Sequence, residues 1–117
     1  MTPKKCRQEK EYLPVIAKAY SCKVMFDDIM FIEKAEGYIY IHRDKRKERS
    51  SQRMDEVIEY LKDYPSFFTC HSKLVINLDH VMRMENGYIW FSNDETAYLG
   101  AHNFAKARKR FNEYIAR

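Results

Sequence analysis

The run Ile29-Met30-Phe31-Ile32-Glu33-Lys34-Ala35-Glu36-Gly37-Tyr38-Ile39-Tyr40-Ile41-His42 reads as two short strands turning at Gly37. Each half is four to six residues of β-branched and aromatic side chains, the length and composition of a strand. In the second half Ile39 and Ile41 alternate with Tyr38, Tyr40 and His42, so a strand would show the isoleucines to one side and the ring side chains to the other. Gly37, following Ala35 and Glu36, suits a tight hairpin.

Working outward, similar short runs occur at 13–18 and 22–26 before this hairpin, and at 67–70, 74–76, 81–85, 88–91 and 96–99 after it. Asn86-Gly87 is the strongest hairpin signal and joins 81–85 to 88–91. Two segments change period. Met54, Val57, Ile58 and Leu61 fall at i, i+3, i+4 and i+7, one stripe of an amphipathic helix, with Ser51 as its expected N-cap and Pro65 beyond its end. After Gly100, Phe104, Ala107, Phe111, Tyr114 and Ile115 share a face of a second helix. Strands do not alternate with helices, so a doubly wound parallel sheet is excluded. The expected fold is mostly β with minor α: many antiparallel strands, one inserted helix and a C-terminal helix. Residues 1–11 are charged with little to bury and read as an arm or linker stub; 12–117 form one domain.

The bulk numbers agree. A chain of 117 residues, 45% hydrophobic and 32% charged, has the length of one globular domain and is too apolar for disorder. Three glycines and three prolines exclude collagen-like and low-complexity chains. Cys6, Cys22 and Cys70 include no close pair, which points away from a disulfide framework and toward a reducing compartment. No run approaches the ~20 apolar residues of a membrane span, and the N-terminus lacks the apolar core of a signal peptide. A cytoplasmic location without membrane association is the expectation.

The candidate chemical sites are few. Cys70-His71 pairs a nucleophile with a base in sequence, but neighbours on a strand point to opposite faces. Cys70 is then a small buried hydrophobe and His71 faces outward. His42, His71, His80 and His102 are nine or more positions apart, without metal-ligand spacing. Asp27-Asp28 reads as a turn former, and the isolated glycines make no phosphate-cradling loop. Neither an enzyme, a cofactor nor a small-molecule substrate is expected. The net charge of +4 is modest, but its distribution is uneven. Arg43-Asp44-Lys45-Arg46-Lys47-Glu48-Arg49 holds five basic residues, Lys73 interrupts two apolar strands, and His102, Asn103 and Lys106 cluster where the last helix begins. A solvated edge would explain the first run alone. All three together suit a nucleic-acid surface, with cations for phosphates and His, Ser, Asn or Lys for base edges.

Two blocks carry a family likeness. Phe26-Asp27-Asp28-Ile29-Met30-Phe31-Ile32-Glu33 through His42, and Ser66-Phe67-Phe68-Thr69-Cys70-His71-Ser72-Lys73-Leu74-Val75-Ile76-Asn77-Leu78-Asp79-His80-Val81, resemble the LytTR DNA-binding domain. The helix between them and the ending Gly100-Ala101-His102-Asn103-Phe104-Ala105-Lys106 stand in the same order. The resemblance implies an elongated, multi-sheet antiparallel fold that enters major grooves with loops, typically as the output half of bacterial response regulators on paired direct repeats. It implies contact loops around Gly37 and Tyr38, at His71-Ser72-Lys73, and at Gly100–Asn103. Base contacts are accordingly expected from Tyr38, His71, Ser72, His102 and Asn103, and phosphate contacts from Arg46, Lys47, Lys73, Lys106 and Arg108. The expected partner is double-stranded DNA, with a second copy bound side by side. His102 stands where the family commonly carries a base-reading arginine, and a largely neutral imidazole cannot match the bidentate guanine contact. That departure motivates an alternative: a protein-interaction module on the same fold with weakened DNA binding. Cys70 matches one of two positions that some members pair as a redox switch; the other is Ala97, so no switch is expected.

Overall fold

The computed structural model describes residues 11–116, and in them three antiparallel sheets are accompanied by one short helix, inserted between two strands of the central sheet, and by a longer one at the C-terminal end. β1 (Tyr12–Ile16) and β2 (Ser21–Met25) form a two-stranded ribbon. The central sheet has the order β5-β4-β3-β7-β6, from β3 (Phe31–Ala35), β4 (Tyr38–His42), β5 (Lys47–Ser50), β6 (Phe67–His71) and β7 (Leu74–Asn77). The third sheet, β10-β9-β8, comprises β8 (Val81–Glu85), β9 (Tyr88–Phe91) and β10 (Thr96–Tyr98). Helix α1 (Met54–Leu61) is inserted after β5, and α2 (Ala101–Ile115) closes the chain. The expected fold class is the one observed.

The central sheet is buried on both faces, and strand alternation assigns each side chain to one of them. Ile32, Ile39, Ile41 and Val75 pack with Leu13, Val15 and Val24 of the ribbon and Met54, Val57 and Leu61 of α1. Phe31, Cys70, Leu74 and Ile76 pack with Ile89 and Phe91 of the third sheet and Ala107 and Phe111 of α2. The sheet therefore lies between two cores. Asn77 pins its edge: its Nδ2 donates to the carbonyl oxygens of Ile29 (2.9 Å) and Phe26 (3.3 Å), and its Oδ1 accepts from Asp79 N–H.

Several local expectations are corrected. Ser51 does not cap α1; Arg53 is the N-cap residue, and its N–H donates to the Glu56 carboxylate at 3.2 Å. Within the basic run, Lys47–Ser50 is an edge strand paired with β4, and it buries Glu48 and Ser50. Ile115 is 61% exposed rather than packed on α2's apolar face, since the helix outruns the core that covers Ala107 and Phe111. His42, on the face opposite the isoleucines, is buried and stacks on Phe31 with ring centroids 4.0 Å apart. The arm expected over 1–11 lies outside the described residues except for Glu11, whose carbonyl accepts from Phe26 N–H.

Both hairpins turn through left-handed residues, Glu36-Gly37 (φ 55° and 83°) and Asn86-Gly87 (φ 53° and 86°), as type I′ geometry requires. At Gly87 an added Cβ would also lie 2.9 Å from Tyr98 Cε1. Gly87→Ala is expected to destabilise by about 1–2 kcal/mol, from backbone strain plus displacement of the Tyr98 ring. Gly37→Ala meets no atom within 4 Å and is expected to cost less. Denaturant titration of the two variants checks the order.

Candidate nucleic-acid interface

Strand register fixes where the three expected contact loops lie. β3 and β4 pair Ala35 with Tyr38, so the Glu36-Gly37 tip stands at one end of the central sheet. β3 and β7 pair Glu33 with Leu74, and Lys34 N–H donates to the Lys73 carbonyl at 3.0 Å, which places the His71–Lys73 turn at that same end. Helix α2 packs on β6 with Arg110 donating to the Pro65 carbonyl at 2.9 Å, before the strand begins. Its C-terminal turns thus sit by the start of β6, and its first turn lies toward the His71 end. Tyr38, the His71–Lys73 turn and the start of α2 therefore gather at one end of the molecule.

The side chains there differ in how they are held. Tyr38 is exposed, and the Arg49 guanidinium lies over its ring at 4.4 Å. His71 is half-buried, and its Nδ1 accepts the Lys73 N–H at 3.1 Å. That bond leaves Nε2 as the hydrogen-bearing nitrogen of the neutral ring, a donor available to a base edge. Ser72 and Lys73 are exposed at the turn tip. Gly100, at φ 81°, is the N-cap of α2, so His102 (exposed) and Asn103 (half-buried) lie in the first helical turn rather than in a preceding loop. The backbone N–H groups of that turn have no intrahelical acceptor, which makes the turn receptive to an anion.

A crevice joins the two halves of this end. It runs between the central sheet and β10, and Lys34, Lys73, His71 and Tyr98 line it. Its floor is acidic: His42 holds Glu33 through Nε2 at 2.6 Å and Glu95 through Nδ1 at 3.3 Å. The two carboxylates are thus engaged by a buried ring, which ties β3 to the turn before β10.

The phosphate candidates are not all in one place. Lys73 stands with the reading loops. Lys47 pairs with His42, at the opposite end of β4 from Tyr38, about 13 Å away along the strand, and Arg46 lies beyond it. Arg46 Nε also faces Glu48 at 3.3 Å, and the Lys47 ammonium lies over Tyr40 at 5.0 Å. Lys106 and Arg108 are both exposed, but two residues apart on a helix they point about 200° from each other. Lys106 shares the His102 face; Arg108 lines a crevice with Tyr98 and Gly87. Sequence reasoning missed Arg49 and Lys34. Both sit among the candidate contact loops, and the signal for each is strand register: Arg49 follows from pairing β5 to β4, and Lys34 lies one residue from the hairpin turn.

Cys70 is buried, and burial pushes its thiol up to about 12. It is therefore expected to resist alkylation at pH 7.5 while folded and to react once unfolded. Peptide mass mapping after iodoacetamide checks this; native labelling of Cys70 at the rate of a free thiol would contradict the burial. The β6–β7 ladder shifts register between Thr69 and His71. Among the described residues no group of three His, Cys, Asp or Glu side chains could hold a metal, and no helix is long and apolar enough to cross a membrane.

The fold is that of a small, mostly β domain of three antiparallel sheets and two helices. The LytTr DNA-binding domain model matches residues 20–112, and the chain belongs to that family. Its fold is similar to that of a solved structure described as the LytTr DNA-binding domain of a methyl-accepting/DNA response regulator from Bacillus cereus, with a TM-score of 0.70 and 18% identity. That alignment covers 86% of this chain and 95% of the other. No curated protein matches the chain.

Proposed function

We propose that this domain regulates transcription by binding specific duplex DNA, and that the reading loops are Glu36–Tyr38, His71–Lys73 and the first turn of α2. The observation that carries the reading is the placement of Glu36–Tyr38 and His71–Lys73 at one end of the central sheet, tied by the Lys34–Lys73 backbone bond. Tyr38, His71, Ser72, His102 and Asn103 contact base edges. Lys73 and Lys106 contact phosphates alongside them, while Arg46, Lys47 and Arg108 lie farther out and engage flanking backbone. Sites are paired direct repeats about one helical turn apart, so that a second copy lies on the same DNA face.

The cations support this division. Arg43, Arg46, Arg53, Lys62 and Arg83 each face a carboxylate. Lys34, Arg49 and Lys73, beside the reading loops, and Lys106, on the His102 face of α2, have no carboxylate within ion-pair distance among the described residues; the same holds for Lys45 and Lys47 at the far end of β4 and for Arg108. Lys73→Ala is expected to weaken binding to every duplex alike and to flatten the dependence of log K on log salt by about one unit. His102→Ala is expected instead to change the preferred sequence, with a discrimination loss of about 1–3 kcal/mol at its base pair. Selection of duplexes from a random pool, followed by salt titration, reads both. No binding of any duplex by micromolar protein at low salt would overturn the proposal and leave the fold as a protein-interaction module.

A further inference from the structure

On the far side of Tyr38 from the crevice of His71 and Lys73 lies a second crevice, between the β1–β2 turn and the end of β5. Lys18, Tyr20, Tyr38, Arg49 and Ser51 line it. The turn is closed by the Ala17 N–H donating to the Tyr20 carbonyl at 2.9 Å, which puts Lys18 at its tip. The turn is anchored beside β5 by two bonds at Ile16: its N–H donates to Gln52 Oε1 (3.1 Å), and its carbonyl accepts from the Ser50 hydroxyl (3.3 Å).

We infer that this crevice takes a backbone phosphate of the same duplex, extending the DNA contact from the base-reading loops across Tyr38 onto Lys18 and Arg49. Three observations carry it. No carboxylate lines the crevice, whereas Glu33 and Glu95 floor its neighbour. Lys18 and Arg49 are both exposed, and neither faces a carboxylate among the described residues; the nearby Glu48 is buried and already occupied by Tyr20 and Arg43. Arg49 is also held in place. Its guanidinium lies over the Tyr38 ring, and a stacked guanidinium keeps its in-plane N–H donors free for the two oxygens of a phosphate. The Arg49–Tyr38 pair thereby places a phosphate contact beside a base-reading side chain.

This inference rests on the DNA-binding reading above, and the test separates the two. Lys18→Gln and Arg49→Gln together are expected to flatten the salt dependence of duplex binding by about two units, with the selected sequence unchanged. Arg49→Lys keeps the charge and is expected to restore about one of those units when combined with Lys18→Gln. Lys45→Gln, at the other end of β4–β5, is expected to leave the slope unchanged. Both target side chains are exposed, and the circular dichroism of each variant confirms the fold. A double variant with the wild-type slope, measured where Lys73→Ala does flatten it, would overturn this inference and leave DNA binding by the loops intact. Failure of the unsubstituted chain to bind duplex would overturn both.

Discussion

Phe91→Ala is expected to lower the stability of this domain by about 3–5 kcal/mol, against the roughly 5–15 kcal/mol total of a typical domain. Phe91 is 2% exposed and stacks on Phe31 with centroids 4.7 Å apart. Phe31 in turn stacks on His42. The three rings form one column from the third sheet into the central sheet, and that column is what holds β10 over the crevice of His71 and Lys73. Truncation to alanine removes most of an aromatic side chain from a site where sheets on both sides are already fixed by their own ladders, so the cavity cannot collapse fully. Denaturant unfolding measures the loss. A cost below about 1 kcal/mol would mean that the third sheet is not held by this column. Phe91→Leu, which keeps more of the volume, is expected to cost less. At temperatures where Phe91→Ala remains folded, its duplex binding is expected to weaken as well, because Phe91 lies on β9, whose ladder carries β10 and Tyr98.

Much of this architecture is legible in the sequence, for reasons that belong to particular residues. The Ile39–Ile41 alternation identifies β4 because one of its faces is wholly apolar. Asn86-Gly87 identifies its hairpin because few dipeptides accept two consecutive positive φ values. Phe104, Ala107 and Phe111 identify α2 because its other faces are charged. The strand Lys47–Ser50 is hidden for the opposite reason. Its composition is that of a loop, and it is a strand because Glu48 finds Tyr20, Arg43 and Arg46 around it; those are tertiary partners that no local pattern displays. His42 is hidden in the same way, since its burial depends on Phe31 and Glu33 arriving from β3 and Glu95 from the turn before β10.

The candidate site divides similarly. The loops themselves are legible, because polar residues interrupt apolar strands at Ser72 and Lys73 and a glycine precedes α2. Their relative positions are not. Nothing in the run Arg43–Arg49 distinguishes Arg46, which faces a carboxylate far from the loops, from Arg49, which lies over Tyr38 beside them. Density of charge in sequence thus does not locate a cation relative to the candidate loops; strand register does.

Glu48 allows that argument to be turned into a measurement with two opposed readouts. Its carboxylate is 2% exposed, accepts from the Tyr20 hydroxyl at 2.6 Å and from Arg43 at 2.8 Å, and has Arg46 at 3.3 Å. Glu48→Ala removes the acceptor that joins the β1–β2 turn to β5 and leaves the partly buried Arg43 with Asp28 alone, 3.6 Å away. A cost of about 2–4 kcal/mol is expected, the range for breaking a buried, hydrogen-bonded ion pair whose partners regain some solvent. The same contacts set a pH dependence. Hydrogen bonds from Tyr20 and then Arg43 hold the Glu48 carboxyl below its ordinary value of 4.5, against the opposing effect of burial. A depressed folded-state value means the unfolded chain binds the proton more tightly. The stabilisation is therefore complete above about pH 4.5–5 and drains away as pH falls below that toward the folded value. Wild type is expected to lose stability over that window, and Glu48→Ala to lose less of it. The DNA readout moves the other way: with Glu48 gone, Arg46 has no ion-pair partner among the described residues, and non-specific duplex binding at neutral pH is expected to steepen in salt by up to one unit. A variant that is less stable yet binds non-specific duplex more steeply separates an ion pair that builds the fold from a cation that meets the phosphates. Equal acid sensitivity of variant and wild type would show instead that Glu48 is not the group whose protonation loosens the β1–β2 turn.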